Sequence, residues 1–188
     1  MPRSGLDSDR VVAQAAQIAD AEGLAEVTLA RVAQQLGVRP PSLYNHIKGR
    51  AGLLRLLSIL SIRELTEALR TAAVGRSGAD ALGAIARAYR AYARAHPGRY
   101  TATVWAPAPG DEELAAVAWE AVEVIVAVLA AWGFGDEEVL HRVRVIRSAL
   151  HGFVAIEAAG GFGLPLDIDE SFDLLLATLV AGLERSWP

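Results

Sequence analysis

Apolar residues recur at helical spacing along almost the whole chain. In the first window, between Val11 and Ala19, they fall three and four positions apart, and Gly23 follows as a stop signal. The same spacing returns in later windows, and no stretch alternates apolar and polar residues as a half-buried strand does. The pattern predicts an all-α fold of about nine helices.

Each predicted helix has an apolar face, and most are followed by glycine or proline. The predicted helices cover residues 8–22, 29–36, 42–47, 50–74, 80–96, 100–106, 111–132, 136–159 and 169–187. With 188 residues, the chain can bury a real core in one or two closely packed units.

The second and third predicted helices are joined in the manner of a helix-turn-helix. Thr28 can accept a hydrogen bond from an unpaired backbone N–H at the start of the second helix, and Gly37 permits a tight turn after it. Ala33 lies four residues before that glycine, where two crossing helices approach most closely. Pro40 and Pro41 precede the third helix, where their missing N–H groups need no partner.

The distribution of charge matters more than the net charge. A formal charge of −4 alone would argue against nucleic acid. Residues 111–188 carry four basic and fourteen acidic side chains, whereas residues 31–55 carry no acid and five basic ones, namely Arg31, Arg39, Lys48, Arg50 and Arg55. A basic N-terminal head beside an acidic body would orient the chain on a polyanion.

On these residues the N-terminal segment resembles the DNA-binding domain of the TetR family of repressors. The family's pattern is matched by Thr28, Ala33, Leu36-Gly37-Val38, Leu43-Tyr44, His46-Ile47, Arg50 and Leu53-Leu54. Three positions depart from it: Arg39 replaces a small hydroxyl residue, Arg50 replaces the usual lysine, and Ala51 replaces the usual acid.

The resemblance implies that Tyr44, His46 and Arg50 lie near phosphates, and that Ser42 and Asn45 lie nearer bases. Hydroxyl, amide, imidazole and cationic groups suit groove edges and phosphate oxygens. The residues predicted to bind DNA are Thr28, Arg39, Ser42, Tyr44, Asn45, His46, Lys48 and Arg50. A half-buried packing role for Tyr44 and a merely solvated Lys48 stay open as alternatives.

The C-terminal part resembles the class of TetR-family C-terminal domains named for a Trp-His-Gly signature. His151-Gly152, Glu157, Phe162 and Phe172 fit that pattern, although no Trp stands just before His151. The resemblance implies a homodimer through the two C-terminal helices, whose small and leucine side chains suit a two-fold helical interface. Two heads would then meet the half-sites of a pseudo-palindromic double-stranded operator.

A ligand pocket is expected among the helices between Leu82 and Phe153. Aromatic side chains can form its walls, and a histidine can orient a ligand. The candidates are Tyr89, Tyr92, Tyr100, Trp105, Trp119, His151 and Phe153. Aromatic residues at helical spacing also form ordinary cores, so a packing role stays open for each of them.

The sequence contains no pattern typical of a catalytic site or a metal site. The chain has no cysteine, no readable nucleophile with its base and no phosphate-binding glycine loop. His141, His151 and Glu157 lie along one predicted helix, but their spacings of ten and six do not place them on one face. We therefore expect no enzyme activity, no cofactor and no metal.

No secretory signal is readable, so the cytoplasm is the expected compartment. The most apolar stretch, residues 114–134, contains Glu120 and Glu123. Two acids within a helix favour a buried core helix over a membrane span, and we expect no membrane partner.

Together these features predict two domains and one function. Residues 1–50 would form the helix-turn-helix DNA-binding domain, and residues 51–188 a helical ligand-binding and dimerisation domain. The chain would be a ligand-responsive transcriptional repressor, released from DNA when a small apolar or amphipathic molecule favours another pose of helix 50–74. The alternative is a helical small-molecule-binding or interaction module that does not bind DNA.

Overall fold

Eight α-helices and three 3₁₀ helices make up residues 6–185, the part of the chain that the computed structural model describes. The α-helices are α1 (Ser8–Glu22), α2 (Leu29–Leu36), α3 (Gly49–Ala73), α4 (Gly78–Ala95), α5 (Pro97–Ala102), α6 (Glu112–Leu129), α7 (Asp136–Ala158) and α8 (Ile168–Leu183). The 3₁₀ helices are Leu24–Glu26, Pro40–Asn45 and Ala130–Trp132. No strand occurs within residues 6–185, and the predicted all-α fold is confirmed.

Several helix boundaries differ by one to about four residues from those that the sequence pattern predicts. The third helix starts at Pro40, two residues early, and is a 3₁₀ helix. The short helix starts at Pro97 and not at Tyr100, because proline at the first helical position has no N–H to lose. The last helix ends at Leu183, and residues 186–188 lie outside the described range.

The helices pack into two compact units. Unit 1 consists of the chain up to Glu64 together with His96–Ala118, and unit 2 consists of Leu65–Ala95 together with the chain from Trp119 onward. The division therefore falls inside α3 and inside α6. The division into a DNA-binding and a ligand-binding domain after residue 50 stays a prediction.

Unit 1 buries small and branched apolar side chains from α1, α2, the first half of α3 and the segments between these helices. Eleven of them are at most 2% exposed, namely Val11, Ala15, Ile18, Ala19, Val27, Val32, Ala33, Leu43, Ile47, Leu53 and Leu57. Helix α1 also packs against α5. Gly98 lies so close to α1 that an added Cβ would stand 1.9 Å from the carbonyl oxygen of Ala19, so only glycine fits there.

A cluster of ion pairs joins α1, α3 and the start of α5 within unit 1. The carboxylate of Asp20 accepts hydrogen bonds from the backbone N–H of Arg99 at 2.9 Å and from its Nε–H at 2.7 Å. The Nη1 of Arg99 donates to both carboxylate oxygens of Glu64, at 3.1 and 2.9 Å. Arg99 therefore links α5 to both α1 and α3.

Unit 2 is built on α4, which packs against both α7 and α8. Arg90 on α4 is only 8% exposed. It donates to the carboxylate oxygens of Glu157 at 2.8 and 2.6 Å and pairs with Asp169 at 2.7 Å. Its guanidinium carbon lies 4.7 Å from the ring centroid of Phe172 and 5.5 Å from that of Phe153. This arginine joins the last turn of α7 to the first turn of α8.

One stretch, Glu112–Trp132, is long and apolar enough to cross a membrane when only length and composition are considered. Its most apolar window has a mean hydropathy of 2.1, and 28% of that window is buried. Core helices of soluble proteins pass the same test. Val117, Val124 and Leu129 of this stretch are buried inside the protein.

Candidate nucleic-acid interface

The helix-turn-helix consists of α2, a turn at Gly37 and the 3₁₀ helix Pro40–Asn45, which we call the recognition segment. The Oγ1 of Thr28 accepts a hydrogen bond from the N–H of Arg31 at 3.1 Å and so caps α2. Gly37 ends α2 with a φ of +67°, a left-handed conformation that disfavours residues with a Cβ. The next N–H, that of Val38, donates to the carbonyl of Ala33 at 3.0 Å. Both the predicted cap and the predicted turn are present.

The recognition segment is fixed by its buried side. Its first two residues, Pro40 and Pro41, have no backbone N–H to satisfy. The N–H of Ile47 donates to the carbonyl of Leu43 at 2.8 Å, just past the end of the segment. Both of these side chains are buried in the core of unit 1, so the segment cannot turn without exposing them.

Six of the eight residues predicted to bind DNA lie in or directly beside this segment. They are Arg39, Ser42, Tyr44, Asn45, His46 and Lys48. Tyr44 is 62% exposed, which excludes the packing alternative for it, and Asn45 is exposed as well. Ser42 and His46 are half-buried. A duplex can therefore reach the polar groups on the outer side of the segment.

Two basic residues that the charge count includes are paired with acids from elsewhere in unit 1. Arg31 donates to both carboxylate oxygens of Glu22, at 3.0 and 2.6 Å, and these hydrogen bonds lower the pKa of that carboxyl. Arg55 donates to Asp111 at 2.6 Å twice and to Glu113 at 2.8 Å. The bonds from Arg55 likewise lower the pKa of Asp111. Residues 31–55 contain no acid, but the folded chain places acidic side chains from other segments against two of their five cations.

The other two predicted DNA contacts, Thr28 and Arg50, lie outside the recognition segment. Thr28 is half-buried as the cap of α2. Arg50, in the first turn of α3, donates through Nε to the carbonyl of Val27 at 2.9 Å and through Nη2 to that of Ala25 at 3.3 Å. Its guanidinium is therefore bonded to the backbone that connects α1 to α2.

The predicted ligand-contacting residues are distributed over both units. Tyr100, which is buried, and Trp105, which is exposed, belong to unit 1. Unit 2 holds the buried Tyr89 and Tyr92, the half-buried His151 and Phe153, and the exposed Trp119. The ring of Phe153 packs against Phe162 and Phe172, with centroids 4.9 and 5.0 Å apart. Phe153 is thus part of the aromatic cluster around Arg90, a cluster that the sequence analysis did not find.

Within residues 6–185, no three His, Asp or Glu side chains come close enough together to hold a metal ion. An open groove of about 1110 Å³ runs between the first half of α7 and the second half of α8, where Val145, Thr178, Leu179 and Gly182 line it.

Comparison with known proteins assigns the chain to a family. The family profile described as "Tetracyclin repressor-like, C-terminal domain" matches residues 82–179. The chain is 36% identical over 181 residues to the uncharacterized HTH-type transcriptional regulator Rv0681 of Mycobacterium tuberculosis, and the alignment covers 96% of this chain and 83% of the relative. The chain belongs to the TetR family of transcriptional regulators.

Two further comparisons agree with this assignment. The HTH-type transcriptional regulator YobS of Bacillus subtilis is 34% identical over 183 residues, which are 97% of this chain and 95% of that one. The solved structure of BioQ with its natural double-stranded DNA operator superimposes with a TM-score of 0.73 at 25% identity, covering 97% of this chain and 100% of that one.

The family assignment confirms the resemblance read from residues 28–54 and the expectation of a transcriptional regulator that is not an enzyme. The profile also covers most of the segment in which the Trp-His-Gly resemblance lies. That narrower class stays a prediction.

Proposed function

We propose that this TetR-family regulator is a repressor that binds a pseudo-palindromic operator as a homodimer and leaves it when a small molecule binds the C-terminal domain. The proposed DNA binding is supported by the exposed side of the recognition segment. Tyr44 and Asn45 project from a segment that Leu43 anchors in the core, and cationic residues flank it at Arg39 and Lys48.

The chemistry of this surface suits a major groove. The amide of Asn45 and the hydroxyl of Ser42 can pair with base edges, while the hydroxyl of Tyr44 and the imidazole of His46 can reach phosphate oxygens. The name of the BioQ structure, a protein of the same fold bound to its operator, supports a DNA partner for this chain. The proposed location is the cytoplasm, where such a regulator meets its DNA.

The DNA half is tested by fluorescence anisotropy on the DNA upstream of the chain's own gene. Tyr44→Ala and Lys48→Ala should each weaken operator binding by about a hundredfold, since each removes one contact of about 1–2 kcal/mol from both heads of the dimer. Arg63→Ala, an exposed arginine on α3 outside this surface, serves as the control, and circular dichroism checks that every variant is folded. Parent-like binding by both test variants would show that the docking surface lies elsewhere.

A parent protein that shows no salt-dependent binding to any duplex would favour the alternative function, a helical module without DNA. Such a module would still bind small molecules or a helical partner, so the binding of both by the same protein preparation would then be measured.

The dimer half rests on the exposed apolar face of α7 and α8. Val145, Ile156 and Leu174 are 58%, 47% and 69% exposed. Val145 also lines the open groove between α7 and α8, and Gly182, which has no side chain, lines the groove as well. Several large apolar side chains exposed on the same two helices favour an interaction site, and a two-fold axis would pair those helices of two copies.

Light scattering coupled to size-exclusion chromatography tests the dimer. Val145→Glu should yield a monomer, because it places a charge in the proposed interface. Val74→Glu changes another exposed valine outside that face and should leave the dimer intact. A Val145→Glu protein that stays dimeric would place the interface on other helices.

The ligand half is supported by the family resemblance and by the aromatic content of the middle helices. Trp105 and Trp119 are both at least half exposed, so their emission is sensitive to a bound molecule or to a change of pose. Apolar ligands that shift tryptophan emission and also lower operator affinity would support induction. Operator affinity that no ligand changes would argue for a constitutive regulator.

A further inference from the structure

We infer that only two of the five basic side chains in residues 31–55 make the ionic contacts to DNA, namely Arg39 and Lys48, and that Arg50 is a positioning residue that contacts no phosphate. This inference rests on the proposed DNA binding and assigns its charges to named residues. It departs from the family resemblance, which implies a phosphate contact at Arg50.

Arg50 is bonded to the protein's own backbone. Its guanidinium spans two carbonyls of the α1–α2 connection, those of Val27 and Ala25, while its own backbone belongs to the first turn of α3. Val27 is fully buried, and a buried carbonyl needs a hydrogen-bond partner. Arg50 therefore fastens the start of α3 to the residues that lead into α2, which fixes both ends of the helix-turn-helix.

Arg31 and Arg55 are neutralised within unit 1. Besides its two bonds to Glu22, Arg31 donates to the amide oxygen of Gln34 at 2.9 Å. Arg55 faces two carboxylates, those of Asp111 and Glu113. A cation that already has a carboxylate partner cannot release the counterions of a phosphate without first breaking that pair.

Arg39 and Lys48 differ from these three residues. Both are exposed, and neither side chain has a hydrogen bond or ion pair with another residue in the range 6–185. Arg39 immediately precedes the recognition segment, and Lys48 follows it by three residues. The two cations of the basic stretch whose side chains have no partner therefore stand at the two ends of the element that presents Tyr44 and Asn45.

The salt dependence of operator affinity separates the two groups of residues. Each cation that binds a phosphate contributes about 0.9 to the slope of log K against log salt concentration. Arg39→Gln and Lys48→Gln should each reduce the slope by about 1 for each bound head. Arg50→Gln should leave the slope unchanged, as should the control Arg63→Gln on the same helix.

The role of Arg50 is also measured without DNA. Lysine keeps the charge but lacks the planar guanidinium whose Nε and Nη2 reach the two carbonyls, so Arg50→Lys should lower the melting temperature and speed amide hydrogen exchange in residues 24–31. A phosphate contact predicts the opposite, with an unchanged melting temperature in Arg50→Lys and a smaller salt slope in Arg50→Gln. That pattern would overturn the inference.

The two proposals fail in different ways. A parent protein with no salt-dependent operator binding refutes the proposed function, whereas the exchange measurement on Arg50→Lys still tests the positioning role. A parent that binds, with slopes unchanged in Arg39→Gln and Lys48→Gln, refutes the charge assignment and leaves the function standing.

Discussion

Replacing Arg90 by methionine tests how much of unit 2 depends on one buried cation. Methionine has a similar length and no charge, so Arg90→Met keeps an apolar side chain against Phe153 and Phe172 while removing the three charged contacts to Glu157 and Asp169. Glu157, whose side chain is 14% exposed, would then be left as a buried carboxylate without its main partner.

The expected loss of unfolding free energy in Arg90→Met comes from the unpaired carboxylate of Glu157. Breaking a buried pair by removing one partner costs about 3–5 kcal/mol. Since about 1 kcal/mol corresponds to about 2–4 °C in a chain of this size, the melting temperature should fall by about 10 °C. Arg87→Met is the matched control on the same helix, because Arg87 pairs with Asp173 at 2.9 Å where both side chains are more than 60% exposed. Such a surface pair contributes about 0–1 kcal/mol.

Thermal and urea unfolding followed by far-ultraviolet circular dichroism measure both variants. Equal losses in Arg90→Met and Arg87→Met, or a loss below about 1 kcal/mol in Arg90→Met, would refute the reasoning, because a buried pair cannot be so cheap to break.

Acid should reduce the difference between the parent and Arg90→Met. The hydrogen bonds from Arg90 lower the pKa of Glu157 against the opposing effect of burial. In the parent, this carboxylate therefore contributes stability that is complete above its unfolded pKa of about 4.3 and is lost as pH falls through the folded value. In Arg90→Met, burial without the partner raises the pKa of Glu157, so protonation relieves the variant. A stability difference that stays constant between pH 7 and pH 3 would contradict this linkage.

Two further substitutions test unit 1. Gly98→Ala should cost about 1–3 kcal/mol of unfolding free energy, because the new methyl group meets the backbone carbonyl of Ala19. Its control, Gly83→Ala on α4, meets only the flexible end of an arginine side chain and should be neutral or stabilising, and a similar loss in both would contradict the close approach. Thr28→Ala should cost about 1 kcal/mol through the lost cap of α2, whereas Thr28→Ser should retain it, as urea unfolding would show.

The parts of the fold that the sequence predicts are those with local causes. The cap at Thr28 and the left-handed turn at Gly37 each depend on residues within a few positions of each other. The predicted start of the third helix, after the two prolines, was wrong. The recognition segment begins at Pro40 and is a 3₁₀ helix. The exposed polar residues of that segment were found because the helical spacing assigns Leu43 and Ile47 to the core.

The partners of the charged residues depend on tertiary structure, and no pattern in the sequence predicts them. Arg55 and Asp111 are 56 residues apart, and Arg90 and Glu157 are 67 apart, so no local pattern joins them. The bonds of Arg50 go to backbone carbonyls, which every residue has and which leave no trace in the sequence. Arg90 did have a signal, since it stands four residues after Ala86 and three before Ala93, both buried on α4.

Counting charges in sequence overstates how strongly one head is held on DNA. Five basic residues would imply a steep salt dependence, but if only Arg39 and Lys48 bind phosphate, a single head contributes a slope of about 2. Ionic contacts of that number give weak attachment at physiological salt, so operator binding must depend on two heads acting together. The monomeric variant Val145→Glu should therefore lose more operator affinity than either Arg39→Gln or Lys48→Gln, although it changes no residue near the DNA. Equal affinities of the monomeric variant and the parent in anisotropy would show that one head binds the operator alone.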